Sequence, residues 1–487
     1  MPQNTSDQNS STPSDTDSEA KSRPIKDDAK RANANARAKS GSPARRAALF
    51  MIIAVLEKKR SLDDVWAEEI LSGQLKTMDT RDRAFVRALT ASCLRHLGEL
   101  DHAIDKCIDK PLPSQADHAR HIMRLGLTEL DYLRTPDHAA VSAAVDLAQS
   151  NRNARPFKPL VNAILRRLVR ERNEREAFPP EKNLPKWLWE SWKAAYGEET
   201  ARAIAQVQLG EPPLDLSVKS NPEAWAEKLG GTLLPTGTVR LATSHVEELE
   251  GYADGEWWVQ DISASLPAKL LGNLEGKKVL DLCAAPGGKT AQLAAMGATV
   301  TALDRSAPRL SRLKQNLARL NLSHHTKRVT ADATAWTPNE PFDAVLLDAP
   351  CTATGTARRH PDMIHLKSQE DVTRIANLQR RMLTRAINWI TPDGTLIYCV
   401  CSLQPEEGEA QIDRLMSIRK DIVRDPITAD EVGNMENLIT DKGDLRVLPA
   451  YLADQGGMDG FFIARLKRKP KPTPNQSEDT SSSEGNN

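Results

Sequence analysis

Aromatic residues supply only 4% of this 487-residue sequence, and its formal net charge is zero. A core must therefore be built mainly from aliphatic side chains. Whole-chain electrostatics give no argument for a polyanionic partner, so local charge has to carry it. Long hydrophobic runs are missing as well. The longest purely apolar stretch, Ala47 to Leu56, falls well short of the ~18 residues that cross a membrane. The opening residues lack the apolar segment of a secretory signal. Cysteine is sparse: Cys93, Cys107, Cys283, Cys351, Cys399 and Cys401 cannot staple so long a chain, and no C-x-x-C pair offers a zinc site. Free thiols, a cytoplasmic location and no metal are expected. Two nucleotide signatures are absent too, the G-x-G-x-x-G of nicotinamide enzymes and the G-x-x-x-x-G-K-[ST] of P-loops. Gly288-Lys289-Thr290 imitates the end of the latter, but Cys283 stands where its opening glycine is needed.

What is present divides into several folded units. Residues 1 to about 42 are polar, with almost no large apolar side chains, and are expected to be disordered. Acidic residues come first there, and a mainly basic stretch follows from Lys21 to Arg46. A solvated tail and an arm that touches RNA phosphates both fit that pattern. The segment 469–487 reads as a second tail. Over 43–172 the spacing predicts helices only. Leu49, Ile52, Ile53 and Leu56 form one stripe, and Leu160, Val161, Ile164, Leu165 and Leu168 form another. The last helix also carries Arg166, Arg167, Arg170 and Arg172, a basic face that suits either solvent or RNA. Residues 173–261 read as linker helices around Trp187–Tyr196 and Glu199–Gln208, then a small mixed α+β unit with strands Leu214–Val218 and Thr238–Leu241 flanking a helix, Pro222–Leu229.

From 262 to 468 apolar runs alternate with helical patterns, which predicts an α/β, Rossmann-like parallel sheet. The strands read Lys278–Leu282, Thr299–Asp304, Lys327–Thr330, Phe342–Asp348 and Thr395–Val400, with Phe461–Leu466 as an added edge or hairpin strand. The first strand runs into Cys283-Ala284-Ala285-Pro286-Gly287-Gly288-Lys289, a turn that lets backbone approach a cofactor at the sheet's carboxyl end. Asp304 ends the next strand, where a carboxylate can hold ribose hydroxyls, and Asp332 follows the third. A turn or helix-cap role is the competing reading for any one of these acids.

Asp348-Ala349-Pro350-Cys351 follows the fourth strand, and Cys399-Val400-Cys401-Ser402 ends the fifth. Those two strand ends should be neighbours, bringing Cys351 and Cys401 to one cleft. Carbon 5 of cytosine is a poor nucleophile until a thiolate adds at carbon 6, which is a reason for a methyltransferase to keep thiols there. A carboxylic acid such as Asp348 can bind N3 of the ring. Cys93, Cys107 and Cys283 read as small buried hydrophobes.

The run Asp281–Thr290, Asp348–Cys351 and Cys401-Ser402 resemble the motifs of the Sun-type RNA cytosine-carbon-5 methyltransferases. Further matches are Gln260-Asp261, Arg358-Arg359-His360-Pro361-Asp362, Pro405-Glu406-Glu407 and Met458–Phe462. His138–Val141 and Leu160–Arg166 resemble the NusB-type RNA-binding domain. The fusion resembles family members that act on 16S ribosomal RNA. The resemblance implies Cys401 as nucleophile, Cys351 in product release and Asp348 at the base. It implies S-adenosyl-L-methionine held by residues 283–289 with Asp304, Arg309, Asp332 and Asp348, and Arg358, Arg359 and His360 on the RNA side. RNA is the implied partner, and a monomer is expected from the fusion of several domains. Val400 departs from the threonine usual before the nucleophile, and Cys399 adds a thiol. A non-catalytic NusB-like RNA-binding protein, or the same chemistry on transfer RNA or DNA, are the competing readings. Retention of both thiols, the glycine turn and the acids argues against the first of these.

Overall fold

The computed structural model describes residues 42–242 and 246–469; both tails, but for their inner ends, lie outside these. Apolar stripes at helical spacing produce a bundle of seven α-helices, Ser42–Leu56, Leu62–Ser72, Thr80–Arg95, Leu97–Asp105, Asp117–Asp131, Asp137–Ser150 and Lys158–Arg170. Ser61 and Asp79 begin the second and third by accepting the backbone N–H of Asp64 and Asp82. Met51, Ile52, Val55, Leu89, Ile122, Val161 and Leu165 are buried in their common core. Gly126 lets two of these helices meet closely, since a Cβ there would lie 2.8 Å from a Leu165 methyl.

Two further helices, Lys186–Tyr196 and Glu198–Gln208, lead to a small antiparallel sheet. Its strands are β1 (Leu214–Val218), β2 (Thr232–Leu233), β3 (Val239–Leu241) and β4 (Trp257–Val259), in the order β2-β3-β1-β4. Two and three residues long, β2 and β4 are too short to leave an alternation in the sequence.

The second sheet holds β5 (Lys278–Leu282), β6 (Thr299–Asp304), β7 (Thr326–Thr330), β8 (Phe342–Asp348), β9 (Ile390–Val400), β10 (Ile422–Arg424), β11 (Leu445–Val447) and β12 (Phe461–Arg468). The order is β10-β12-β9-β8-β5-β6-β7, with β11 also on β12. The five strands from β5 to β9 run parallel, giving the predicted Rossmann-like arrangement. Successive strands step one way from β5 to β7 and then resume on the other side with β8. The crevice for ligands in such sheets lies where the order reverses, at the carboxyl ends of β5 and β8. Of the two readings of Phe461–Leu466, hairpin or edge strand, the structure shows the first, since β12 pairs antiparallel with the preceding strand β11 and is not the edge. It lies between β9 and the short strands β10 and β11, whose three residues give no readable pattern. β9 also starts earlier than expected, because Pro392-Asp393-Gly394 reads as a turn but joins the strand through an irregular register beside Phe342.

Buried charge ties the small sheet to the second one. Asp215 on β1 accepts both Arg240 Nε and Nη2, at 2.7 and 2.8 Å, and the backbone N–H of Ile262 at 3.1 Å. Arg359 lies 3.9 Å from the same carboxylate. Asp215 is fully buried, so removing it leaves the buried Arg240 guanidinium without its counter-charge. Asp215→Ala is expected to lower unfolding free energy by about 3–5 kcal/mol, measured by denaturant titration; a loss below about 1 kcal/mol would show that water reaches the arginine.

Candidate active site

The pairing of β8 with β9 continues to Asp348↔Cys399. Just past the strand ends, Ala349 N–H donates to Cys399 O at 2.9 Å and Gly355 N–H to Cys401 O at 3.0 Å. This juxtaposes the residues after the two strands, and Cys351 Sγ lies 3.3 Å from Cys401 Sγ. The hydrogen bond with Cys401 comes first, and burial second, in pushing the Cys351 thiol well above its ordinary range. Cys351 is thus held as a thiol, and either sulfur of the pair can donate. A third thiol is close: Cys399 donates to Asp348 Oδ1 at 3.5 Å, and burial, then Asp348, holds it protonated. Cys399 and Cys401 lie on the same side of the sheet, against one apolar cluster.

The other Asp348 oxygen accepts Lys289 Nζ at 2.8 Å. Burial opposes the lysine's charge, but Asp348 and the neighbouring thiols outweigh it and the net shift is upward. Lys289 also lies 5.2 Å above the Phe461 ring. The last residue of the glycine turn therefore faces the thiols and the carboxylate, a placement the sequence spacing did not reveal.

The turn has the properties of a cofactor cradle. Gly287 has φ +107°, and a Cβ there would lie 2.8 Å from Leu313 Cγ. At Gly288 nothing stands nearer than the Gln260 amide, at 3.9 Å, so the helix start is open. Cys283 also takes positive φ, and its thiol is raised chiefly by burial. Asp281, inside β5, accepts Thr290 Oγ1 at 2.5 Å, while its Oδ1 is buried without a partner. Burial raises that carboxyl to about 7. Asp304 accepts Ala285 N–H at 3.2 Å and Ser306 N–H at 2.8 Å, with Arg309 Nη1 at 3.4 Å; Arg309 also donates to Ala285 O. A buried orphan oxygen, an open helix N-terminus and a carboxylate at the next strand end fit, in turn, an ammonium, a carboxylate and ribose hydroxyls of one ligand. Asp332 is exposed and accepts Thr334 N–H and Oγ1, each at 2.7 Å, the turn-cap arrangement.

The expectation that Arg358 and Arg359 line an RNA surface is corrected. Arg358 is 1% exposed, 3.8 Å from Asp261 and 3.7 Å from Asp459. Arg359 pairs with Asp261 at 2.7 Å and Asp459 at 3.2 Å. Sequence shows that a residue is charged but not that three aspartates from distant segments meet it inside. His360 instead reaches the helical bundle, with Nδ1 3.3 Å from Asp63. Around it Leu62 N–H donates to Asp362 at 2.8 Å, Arg95 Nη2 to Arg358 O at 2.9 Å, and His365 Nε2 lies 2.9 Å from Leu94 O. The segment after Cys351 is thus a junction between bundle and sheet. Arg166 is exposed and bonded to Asn162, while Arg167 pairs with Glu171 at 2.8 Å; neither is near the thiols in chain contacts. The sequence offers Glu407 only within the Pro405-Glu406-Glu407 match and gives it no role; the structure shows it as a buried carboxylate behind the thiol loops. A further signal is the recurrence of a hydroxyl residue after each cysteine, Cys351-Thr352 and Cys401-Ser402.

Comparison with known proteins adds the following. The model for the 16S rRNA methyltransferase RsmB/F family matches residues 268–467, and that for the NusB family matches 42–170. The Ribosomal RNA small subunit methyltransferase B of Xylella fastidiosa is 35% identical over 420 residues, covering 81% of this chain and 92% of that protein. Its namesake in Cronobacter sakazakii is 34% identical over 435 residues, covering 85% and 96%. Among solved structures, PH0851 aligns with TM-score 0.67 and 20% identity over 88% of this chain and 99% of its own. NSun6 from Pyrococcus horikoshii, solved with SFG, aligns with TM-score 0.51 and 19% identity over 59% and 99%. At those identities the structures establish the shared fold.

The junction carries a pH dependence. Burial works against a charged His360, but the Asp63 carboxylate outweighs it and raises the imidazole above 6.5, while Asp63 itself is lowered mainly by that hydrogen bond. A raised histidine contributes fully below its unfolded value and loses the contribution as pH climbs through the folded one. The melting temperature of wild type should exceed that of His360→Gln most at about pH 6 and converge with it by about pH 9. A gap that stays constant across that range would mean the ion pair adds nothing.

Proposed function

This chain belongs to the 16S rRNA methyltransferase RsmB/F family, and from that premise we propose that it methylates carbon 5 of a cytosine in 16S ribosomal RNA. S-adenosyl-L-methionine is the donor, supplying an electrophilic sulfonium methyl when bound. The observation that carries the assignment of roles is the Cys351–Cys401 pair, 3.3 Å apart beside Asp348 and Lys289.

Cys401, as thiolate, forms a bond to carbon 6 of the target base, and the electron pair of the carbon 5–carbon 6 double bond becomes available at carbon 5. Asp348 contacts the N3 edge of the ring, held at a fixed angle by Lys289 on one oxygen and Cys399 on the other. After carbon 5 is methylated, a solvent water in the cleft accepts its proton. The C–H electron pair restores the double bond, and the carbon 6–sulfur pair departs on Cys401 Sγ. Cys351 Sγ lies 3.3 Å from that sulfur, and its S–H stabilises it as a leaving thiolate by donating to it once the carbon–sulfur bond breaks. Residues 283–289, with Asp281 and Asp304, hold the donor; Arg309, which bonds Asp304 and Ala285 O, shapes its rim. Asp332, exposed at the end of β7, is placed to meet the adenine edge. The base must be unpaired or flipped out, because neither carbon is open to these approaches in a stacked helix. The NusB-like bundle, with Arg166 and Arg167 on its outer face, contributes to holding the RNA.

The test is a denaturing gel for a covalent protein–RNA adduct, with unmodified 16S ribosomal RNA and S-adenosyl-L-methionine. Cys351→Ala should accumulate an adduct that survives denaturant, because release is impaired, whereas Cys401→Ala should form none and lose methyl transfer by at least about 10³-fold. An adduct that depends on Cys351 instead would exchange the two roles.

A further inference from the structure

We propose that Glu407 is a positioning residue that sets the separation of the two thiols by clamping the loops that carry them. The proposal rests on the reading of Cys351 and Cys401 as the reacting pair. Each cysteine is followed by a hydroxyl residue, Thr352 and Ser402, and both hydroxyls donate to the same oxygen, Glu407 Oε1, Ser402 at 2.7 Å. The other oxygen accepts Thr352 N–H and Gln379 Nε2, each at 2.9 Å. A carboxylate has about four acceptor sites, and all are filled. Gln379, from the helix Gln369–Ala386, also donates to Pro350 O at 2.9 Å, so the same cluster grips the first thiol loop from both sides of Cys351.

The second loop is held as firmly. Ser402 Oγ accepts Gln404 N–H at 3.1 Å, Thr354 Oγ1 accepts Leu403 N–H at 3.0 Å, and Arg446 Nη1 donates to Ser402 O at 2.7 Å. The backbone of Glu407 is fixed in turn by Tyr398 OH, at 2.6 Å from its carbonyl. Glu407 is fully buried and touches neither thiol through a hydrogen bond. Its effect is therefore geometric. The β8–β9 pairing ends at Asp348↔Cys399, and beyond it the backbone bonds Ala349 N–H to Cys399 O and Gly355 N–H to Cys401 O flank a stretch in which the chains leave the sheet as loops. One carboxylate with a donor from each loop joins them across that stretch. Sub-ångström control matters here, since about 1 Å of misplacement costs on the order of 10²-fold in rate.

Glu407→Gln keeps the shape but turns one acceptor into a donor facing other donors. In the full-length protein it is expected to lower kcat for 16S ribosomal RNA roughly 10²-fold while KM for RNA and for S-adenosyl-L-methionine stays within about threefold. A readout free of RNA is phenylarsine oxide, which bridges two adjacent thiols. Wild type should bind one arsenic across Cys351 and Cys401, located by peptide mass spectrometry, and Glu407→Gln should bind it at least about tenfold more weakly. Thr352→Val with Ser402→Ala should reproduce both losses, and Thr352→Ser with Ser402→Thr should restore both. Unchanged kcat and unchanged arsenic binding in a Glu407→Gln protein that melts cooperatively would overturn the proposal. If that variant does not fold, retention of both properties in the Thr352→Val, Ser402→Ala protein overturns it instead. Glu407-dependent arsenic binding in a wild type that methylates no 16S ribosomal RNA would uphold the clamp and reject the substrate.

Discussion

Two parallel strands, β8 and β9, end side by side, and the catalytic arrangement follows from that constraint. Parallel pairing requires a crossover between the strands, here the helix Gln369–Ala386, which explains why Cys351 and Cys401 can be fifty residues apart in the chain and 3.3 Å apart in space. The same crossover supplies Gln379, so the connection that creates the juxtaposition also helps to hold it. Adjacent β5 ends in the glycine turn, which puts Lys289 within reach of Asp348. The proposed donor cradle, the proposed base contact and the thiol pair all follow from three neighbouring strand ends.

Electrostatics at this end of the sheet are organised as closed sets. Lys289 pairs with Asp348, and Cys351 lies 3.3 Å from Cys401, so the groups proposed to react come with partners in place before any base arrives. A preorganised site of this kind needs little rearrangement of its dipoles during reaction. The cost is burial, and it is met by pairing: Asp215 with Arg240, and Asp261 and Asp459 with Arg358 and Arg359. Such sets contribute little net stability compared with apolar packing, but they fail badly when one member is removed.

Much of this was legible in the chain. Short strands with apolar centres, such as β5 and β8, announce a buried parallel sheet, and the positions of Cys351 and Cys401 just after β8 and β9 point to one cleft. Stripes such as Val161, Ile164, Leu165 and Leu168 announce the bundle. Strands of two or three residues were not legible, because alternation needs length. Nor was the fate of Arg358 and Arg359: a basic pair beside a nucleic-acid site invites an RNA assignment, and only the fold shows aspartates arriving from β1, from the start of the helix Ile262–Lys269 and from the approach to β12. Glu407 was quoted as part of a motif, but its role depends on where two side chains separated by fifty residues point.

Residues 356–366 begin only a few positions after Cys351 and carry, within a single short segment, contacts to the bundle through Asp63, Leu62, Leu94 and Arg95 and contacts to the small sheet through Arg359. Any adjustment of the bundle against a structured RNA is felt directly at the loop of the assisting thiol. Contacts far from the target base thereby have a route to the chemical step: part of the energy they release on docking is available to align sulfur with carbon rather than to tighten the complex. Read this way, the accessory domain does more than raise affinity. Under the proposed function, the junction gives the rate as well as the affinity a dependence on the shape of the RNA.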